Sequence, residues 1–271
     1  MPEIPTPKDD GLYIPTVGEW SRDKHYYLSR YIHAFTTSMK KKKWTGLHYI
    51  DLFGGAGIER LQTSKELDWG SPLIAAYAPH SFDKLHLCEK RTREYSALKS
   101  RIGKTRPDSQ VLCGDANQKI HEIVREIPQG TLSLAFLDPY GLHLHFDTVK
   151  VLSQLRADLI IYFPDHLDAL RNWESNYLDD PDSNLDRWMG PSCDWRATLN
   201  NAPPRPSRGN PARTLCWADQ ITRIHAFRIS TNIRQRPSTL HLDFLFTFTV
   251  CYGIMGTDLP DRTQWTTNTQ I

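Results

Sequence analysis

The chain has 271 residues and a formal net charge of +2, so it suits one large domain or two small ones and does not by charge require a nucleic-acid partner. No apolar run approaches the roughly 20 residues that span a bilayer. The N-terminus lacks the features of a signal peptide, so we expect a cytoplasmic protein without membrane contact. The five cysteines form no Cys-x-x-Cys pair, so neither a zinc site nor a disulfide framework is indicated.

The first predicted element is a long amphipathic helix over residues 19–43, which follows an irregular, proline-rich arm over residues 1–18. Its apolar side chains recur at spacings of three and four residues, the period of a helix with one buried face. Ser21 and Ser71 are the expected N-caps of the first and second helices, because a serine hydroxyl can accept a hydrogen bond from a free N–H of the first turn. The run Lys40–Lys43 indicates a solvated helix end, with nucleic-acid contact as the alternative.

Five short apolar segments alternate with helical segments over residues 47–163, the predicted cofactor-binding core. The predicted strands are 47–51, 84–89, 111–115, 132–138 and 158–163. Because strands that alternate with helices need crossover connections, we expect an α/β, Rossmann-like fold with a mostly parallel central sheet and helices on both faces. Residues 59–69 are polar and indicate an insertion, whereas Cys88 and Cys113 lie in apolar runs and are expected to be buried thiols.

A glycine-rich turn follows the first predicted strand directly. Glycine tolerates positive φ angles and lets a ligand approach the backbone, so Gly54, Gly55 and Gly57 are candidate ligand-binding positions. Asp51 and Phe53 stand at the end of the strand, where open α/β sheets bind their ligands. A plain β-turn without a ligand is the alternative.

A carboxylate ends each of the first four predicted strands: Asp51, Glu89, Asp115 and Asp138. Parallel strands end at one edge, so we expect these side chains to line a single rim, although a lone terminal aspartate is more often a helix cap. The predicted ligand is a nucleoside joined to an amino acid. Glu89 can accept both hydroxyls of a ribose, Asp115 can accept from an adenine amine, and the Ala116 N–H can donate to a ring nitrogen.

Several pieces of the chain together resemble class I S-adenosylmethionine-dependent methyltransferases and, more narrowly, the three-Cys-motif partner protein family, TcmP. The pieces lie within residues 19–250 and are Trp20-Ser21-Arg22-Asp23-Lys24, Tyr49-Ile50-Asp51-Leu52-Phe53-Gly54-Gly55-Ala56-Gly57, Gly70-Ser71-Pro72-Leu73, Phe136-Leu137-Asp138-Pro139-Tyr140-Gly141 and Leu185-Asp186-Arg187-Trp188-Met189-Gly190. The resemblance implies a Rossmann-like methyltransferase fold, S-adenosylmethionine as the cofactor and a radical-S-adenosylmethionine partner protein. After Val250 the chain departs from the basic, tryptophan-containing ending expected in the family.

The stretch Asp138-Pro139-Tyr140-Gly141 resembles the Asp/Asn-Pro-Pro-Tyr motif of methyltransferases that act on exocyclic amines. The resemblance implies that the acid and a backbone carbonyl accept the amine hydrogens while the aromatic ring stacks on the base, so that catalysis is mainly positioning. Asp138, Pro139 and Tyr140 are therefore the candidate catalytic residues. In the alternative, Asp138 caps the next turn and Tyr140 packs in the core. His143 and His145 lack further ligands at metal spacing, so no metal site is predicted.

The remaining chain is predicted to hold a helical cap over residues 164–238, a terminal strand over 239–252 and a tail over 253–271. The basic region 196–236 is the candidate nucleic-acid surface. The leading hypothesis is a methyltransferase that acts on an amine of a nucleic-acid base. The alternatives are a non-catalytic partner protein that binds a nucleotide-type ligand, and another nucleotide-using enzyme on the same fold.

Overall fold

The computed structural model describes residues 5–39, 41–162, 177, 180–191 and 194–200. In chain order its elements are β1 (Thr16–Val17), α1 (Trp20–Met39), β2 (Leu47–Asp51), β3 (Ile58–Leu61), β4 (Leu67–Trp69), α2 (Ser71–Ala76), β5 (Lys84–Glu89), α3 (Thr92–Thr105), β6 (Gln110–Cys113), α4 (Ala116–Arg125), β7 (Leu132–Leu137), α5 (Phe146–Leu152), β8 (Arg156–Ile161), α6 (Asn184–Met189) and α7 (Trp195–Asn200). The predicted strands 47–51 and 84–89 are confirmed residue for residue.

The central sheet has five strands in the order β6-β5-β2-β7-β8, and every neighbouring pair is parallel. The chain proceeds from β2 outward to β5 and β6, then returns to the other side of β2 for β7 and β8. The point of reversal lies between β2 and β7, and open α/β sheets bind ligands beside such a point, at the carboxyl ends of their strands. The prediction of a Rossmann-like, parallel α/β sheet is confirmed.

Both faces of the sheet are covered, because successive residues of each strand point to opposite sides and both sets are apolar. Tyr49 and Phe136 pack with α1, α2 and α3 on one face. Ile50 and Leu137 pack with α4, α5 and α6 on the other face. The carboxyl ends of the buried strands therefore form one edge on which polar side chains meet, and we call it the carboxyl edge.

The polar insertion at residues 59–69 is a β-hairpin that belongs to a second, three-stranded sheet. Strand β3 pairs with β4 in antiparallel register and with β1 in parallel register, where Thr16 lies opposite Arg60. The expectation of an irregular arm is wrong at Thr16–Val17, because the hairpin offers an edge to which the arm adds a strand. The glycine turn after β2 thus leads into this hairpin before α2 begins.

Neither predicted serine caps its helix. Ser21 lies inside α1 and donates its hydroxyl proton to Glu59 Oε2 at 2.6 Å. Gly70 is the N-cap of α2, and Ser71 instead donates to Asp51 Oδ2 at 2.6 Å. Each hydroxyl donates to a carboxylate that is distant in sequence, which a local sequence pattern does not reveal.

Cys88 is buried as expected, whereas Cys113 is exposed, because β6 is an edge strand of the central sheet and ends at that residue.

The helices α6 and α7 lie within the predicted cap, and Asp186 joins them by accepting from Trp195 Nε1 at 2.8 Å. Most of the predicted cap, the terminal strand 239–252 and the tail 253–271 lie outside the described residues. None of the described helices is long and apolar enough to cross a membrane.

Candidate functional site

The glycine turn after β2 combines close packing with one open position. Gly55 has a φ of +58° and Gly57 a φ of +84°, both in the region that favours glycine. A Cβ at Gly54 would come within 3.0 Å of the Leu98 side chain, so the turn lies tightly against α3. A Cβ at Gly55 would meet no atom of the described chain within 4 Å, so the backbone there is open to a ligand.

Asp51 ends β2 as a fully buried carboxyl group. It accepts hydrogen bonds from the Ser71 hydroxyl, from Phe53 N at 3.1 Å and from the Tyr49 hydroxyl at 3.4 Å. The pKa of Asp51 is raised to about 7, because burial and, to a smaller extent, the nearby charge of Asp138 outweigh the hydrogen bonds that lower it. Asp51 therefore holds the turn by accepting hydrogen bonds within the protein.

Glu89, at the end of β5, is buried next to the open glycine. Its Oε2 accepts from Gly55 N at 2.9 Å and its Oε1 accepts from Arg91 N at 2.8 Å. Each carboxylate oxygen has two lone pairs, so each can accept one more hydrogen bond. The geometry thus joins the glycine turn to an acid whose carboxylate is anchored by two backbone N–H groups.

Asp138 follows β7 directly and forms an ion pair with Lys24 of α1. The Lys24 ammonium donates to Asp138 Oδ2, and both side chains are largely buried. Burial lowers the pKa of Lys24, but the carboxylates of Asp138, Glu59 and Asp51 outweigh burial and raise it overall. In the part of the chain that the structure describes, Oδ1 of Asp138 accepts no hydrogen bond.

Two alternatives raised by the sequence around Asp138 are wrong. Asp138 does not cap the next turn, because no backbone N–H of the described loop donates to its side chain, which accepts from Lys24 instead. Tyr140 does not pack in the core either, because it is 75% exposed. Pro139 between them is buried, so the stretch turns outward within three residues. The Tyr140 ring faces the Arg91 guanidinium, whose carbon lies 5.4 Å from the ring centroid.

Asp115 lies two residues beyond the end of β6, because that strand ends at Cys113 and not at the predicted residue 115. It is the N-cap of α4 and accepts from Asn117 N at 2.9 Å, and it also pairs with Lys90 at 2.9 Å. Burial raises the pKa of Asp115, but Lys90 and Asn117 outweigh it and lower the pKa overall. Ala116 is the first residue of α4, so its N–H has no acceptor within the helix. Both predicted adenine contacts therefore remain at the carboxyl edge, with Asp115 partly engaged.

Asn117 orders the loop that follows Tyr140. Its side-chain oxygen accepts from His145 N at 2.9 Å and from the Thr148 hydroxyl at 2.7 Å, and its amide donates to His143 O at 2.8 Å. The two histidines are thus held through their backbone atoms, which agrees with their prediction as loop residues. No group of His, Cys, Asp and Glu side chains that could hold a metal ion occurs in the described ranges.

Lys24 is the functional candidate that sequence reasoning missed, although it belongs to the stretch on which the family resemblance rests. A signal was present, because Lys24, Leu28, Tyr31 and Phe35 follow one another at helical spacing along the buried face of α1. An ammonium group on an apolar helix face requires a buried partner. The sequence could not indicate which carboxylate that partner is, since Asp138 lies 114 residues further along the chain.

Comparisons with known proteins add little to this geometry. No family model matches the chain, and no curated protein matches it. A solved structure with some likeness is protein LPL1258 of Legionella pneumophila str. Philadelphia 1, of the family-model DUF519, with 22% identity and a TM-score of 0.34. The likeness covers 48% of this chain and 59% of that protein, so the chain matches little more than half of its length. The assignment of the fold rests on the strand order, and membership of the TcmP family stays a prediction.

Proposed function

We propose that the protein is an S-adenosylmethionine-dependent methyltransferase that acts on an exocyclic amine of a nucleic-acid base. The observation that carries the proposal is an arrangement across three adjacent strands. The open turn at Gly55 ends β2, the buried Glu89 ends β5 on one side, and Asp138 follows β7 on the other side. A ligand that spans the carboxyl edge would have its ribose at Glu89 and its reactive end towards Asp138.

The cofactor half of the proposal uses groups that are already held in place. Glu89 is fixed by two backbone N–H groups and retains lone pairs for the two ribose hydroxyls. Gly55 lets the backbone come close to the amino-acid part of the cofactor. Bound S-adenosylmethionine would supply an electrophilic methyl group, and the protein has to present a nucleophile to it.

The acceptor half uses Asp138 and Tyr140. Lys24 holds one oxygen of Asp138, which leaves Oδ1 to accept an N–H of the amine and to direct the nitrogen lone pair towards the methyl group. The exposed ring of Tyr140 offers a surface on which the base can stack. The fixed carboxylate also stabilises the positive charge that develops on nitrogen during transfer.

One observation favours the second candidate, a partner protein that binds the nucleotide-type ligand without methyl transfer. The Lys24 ammonium already donates to Asp138, as a substrate amine would. In that case the ion pair serves stability alone, and the protein acts together with the three-Cys-motif partner that the family resemblance implies.

Arg196, in the basic region of the predicted cap, pairs with Asp186 at 2.5 Å. The other arginines of that region lie outside the described residues.

Calorimetry followed by mass spectrometry tests the proposal. Titration with S-adenosylmethionine should show binding at one site, and binding should weaken in a Glu89→Ala variant. Nucleic acid incubated with protein and cofactor should then gain a methyl group on a base amine. The same incubation with the three-Cys-motif partner present separates the two candidates: cofactor binding without transfer under both conditions would leave the partner-protein function and rule out the methyltransferase.

A further inference from the structure

The second residue after β5 and the third residue after β7 meet across the carboxyl end of β2. Arg91 follows β5 and Tyr140 follows β7, and β2 lies between these two strands. The Arg91 guanidinium carbon is 5.4 Å from the centroid of the Tyr140 ring, a distance at which a cation is attracted to an aromatic face. The contact therefore joins two loops that flank β2, and each of its residues lies two positions after a predicted site residue, Glu89 or Asp138.

The Arg91 side chain is anchored at one end. Its Nε lies 2.5 Å from Glu94 Oε2 and 3.9 Å from Glu89 Oε1, while its own backbone N–H donates to Glu89. Its terminal nitrogens donate no hydrogen bond within the part of the chain that the structure describes. Because a guanidinium can offer two parallel N–H groups to a phosphate, the outer edge of Arg91 is available for such an anion.

Tyr140 is the aromatic half of this contact. Among the described residues it is the most exposed large hydrophobic side chain, at 75%, and it follows the buried Pro139. An aromatic ring held in water is a stacking surface for a base, and base stacking on such rings does not depend on sequence. The carboxyl groups of Glu89 and Glu94 beside Arg91 disfavour the binding of a free anion. The pKa of Glu94 is raised overall, because burial outweighs the Arg91 charge that lowers it.

We propose that Arg91 and Tyr140 form a nucleotide subsite, in which the ring stacks with a base and the terminal nitrogens of Arg91 bind a phosphate of the same strand. The inference rests on the proposed methyl-transfer function and deepens it. It identifies the acceptor as a base within a single-stranded phosphodiester chain rather than a free nucleoside or a small amine. The strand crosses the end of β2 above the cofactor position, so the target amine approaches Asp138 from the outside.

A binding experiment without cofactor tests this subsite. Fluorescence anisotropy with labelled single-stranded DNA and RNA oligonucleotides of about 12 nucleotides, a length that covers one such binding surface, gives affinities for wild type and variants. Tyr140→Ala should weaken binding roughly 5- to 150-fold, the range for loss of base stacking. Arg91→Ala should weaken it several-fold and reduce the salt slope by about 1 between about 50 and 200 mM salt. Arg91→Lys should keep the salt slope and lose part of the affinity, since the charge remains without the fork.

The chain offers a matched control. Arg30 and Tyr26 on α1 form the same type of pair, with the guanidinium carbon 5.4 Å from the ring centroid. Tyr26 is also exposed. Arg30→Ala should change oligonucleotide affinity less than two-fold, and thermal melting confirms that each variant is folded. The oligonucleotide, DNA or RNA, whose affinity falls more in Arg91→Ala identifies the type of nucleic acid that the subsite binds.

The possible results separate this inference from the proposed function. Oligonucleotide binding that is equal in Arg91→Ala, Arg30→Ala and wild type overturns the subsite, even if methyl transfer is observed. Binding that depends on Arg91 and Tyr140 supports the subsite, even if no condition yields methyl transfer and the proposed function fails. Competition with a nucleoside and with its 5′-monophosphate adds a second test: equal competition by the two would overturn the phosphate contact.

Discussion

Two polar clusters lie towards opposite ends of strand β2, one around His48 and the other around Asp51. The histidine cluster consists of His48, His86 and Gln110. His86 contacts Gln110 Oε1 through Nδ1 at 2.8 Å, and its Nε2 lies 3.1 Å from His48 Nδ1. The carboxylate cluster at the carboxyl edge consists of Asp51, Ser71, Asp138 and Lys24. Both clusters are removed from water, but only the second contains groups that carry full charges.

The difference between the clusters shows where the fold tolerates charge. Burial lowers the pKa of His86 to about 4, so its ring is neutral at pH 7. Both ring nitrogens of His86 have a partner, Gln110 for Nδ1 and His48 for Nε2. At the carboxyl edge, burial raises the pKa of Asp51 to about 7, and Asp138 keeps an oxygen without a hydrogen bond among the described residues. The histidine cluster thus satisfies its polar atoms without charge, whereas the carboxyl edge holds charged groups and leaves one partly exposed carboxylate oxygen without a hydrogen bond among the described residues.

The largest expected effect is an opposite pH dependence of the two clusters. The pKa of His86 in the folded state lies below its ordinary value of 6.5, so its stabilisation is complete above about 6.5 and is lost as the pH falls towards 4. The pKa of Asp51 is raised from 3.8, so its contribution is complete below about 4 and is lost as the pH rises through about 7. The two differences correspond to about 3 and about 4 kcal/mol respectively.

Urea unfolding between pH 4 and 7 measures both slopes. Asp51→Asn should make the protein lose stability more steeply in acid than wild type, and His86→Leu should remove or reverse that loss. His121 is exposed on α4, so His121→Ala should leave the curve unchanged. Equal pH slopes in all four proteins would contradict the assignment of charge to the two clusters.

Asp138→Ala should reduce turnover by a factor on the order of a hundred or more, because a fixed carboxylate that stabilises charge in the transition state is lost. Cofactor affinity should stay within a few-fold. The measurement is the rate of methyl transfer to nucleic acid at saturating cofactor, with any partner protein present. Asp147→Ala, in the first turn of α5, is the control. Equal rates for Asp138→Ala and wild type would assign Asp138 to the scaffold.

Lys24→Met should lower the free energy of unfolding by about 2–3 kcal/mol, since it leaves a largely buried carboxylate without its cation. Lys24→Met combined with Asp138→Asn should recover much of this stability, because the double variant removes both charges. Arg22→Met breaks an ion pair on the same helix whose side chains are both exposed, so its cost should stay below about 1 kcal/mol. A double variant no more stable than Lys24→Met would show that the two residues do not act as a pair.

Glu89→Ala should weaken S-adenosylmethionine binding by about 1.5–3 kcal/mol, the range for hydrogen bonds to a charged group. It should also lower stability without ligand by about 1–3 kcal/mol, because Gly55 N and Arg91 N both lose their acceptor. Glu122→Ala is the control, since Glu122 forms an exposed pair with Lys119. Unchanged cofactor affinity in Glu89→Ala would remove Glu89 from the cofactor site.

Much of the core could be predicted because its signals are local. The predicted strand 132–138 is mostly apolar, and β7 begins where predicted and ends one residue earlier. Residues 59–69 are polar and could be recognised only as an insertion, because the sheet that they form with the distant Thr16–Val17 is not visible in a local pattern. Ser71 was misassigned for a related reason, since its serine-proline sequence suits a cap but its hydroxyl reaches the buried Asp51.

The sequence by itself determined that four strand-end carboxylates and a glycine turn meet at one edge of a parallel sheet, because that outcome depends only on the alternation of strands and helices. Only the tertiary structure decided how each carboxylate is used. Asp115 caps α4 and pairs with Lys90, Glu89 holds two backbone N–H groups, and Asp138 binds a lysine of α1. That last partner could not be read from the chain, since α1 reaches Asp138 through the packing of its apolar face on the sheet.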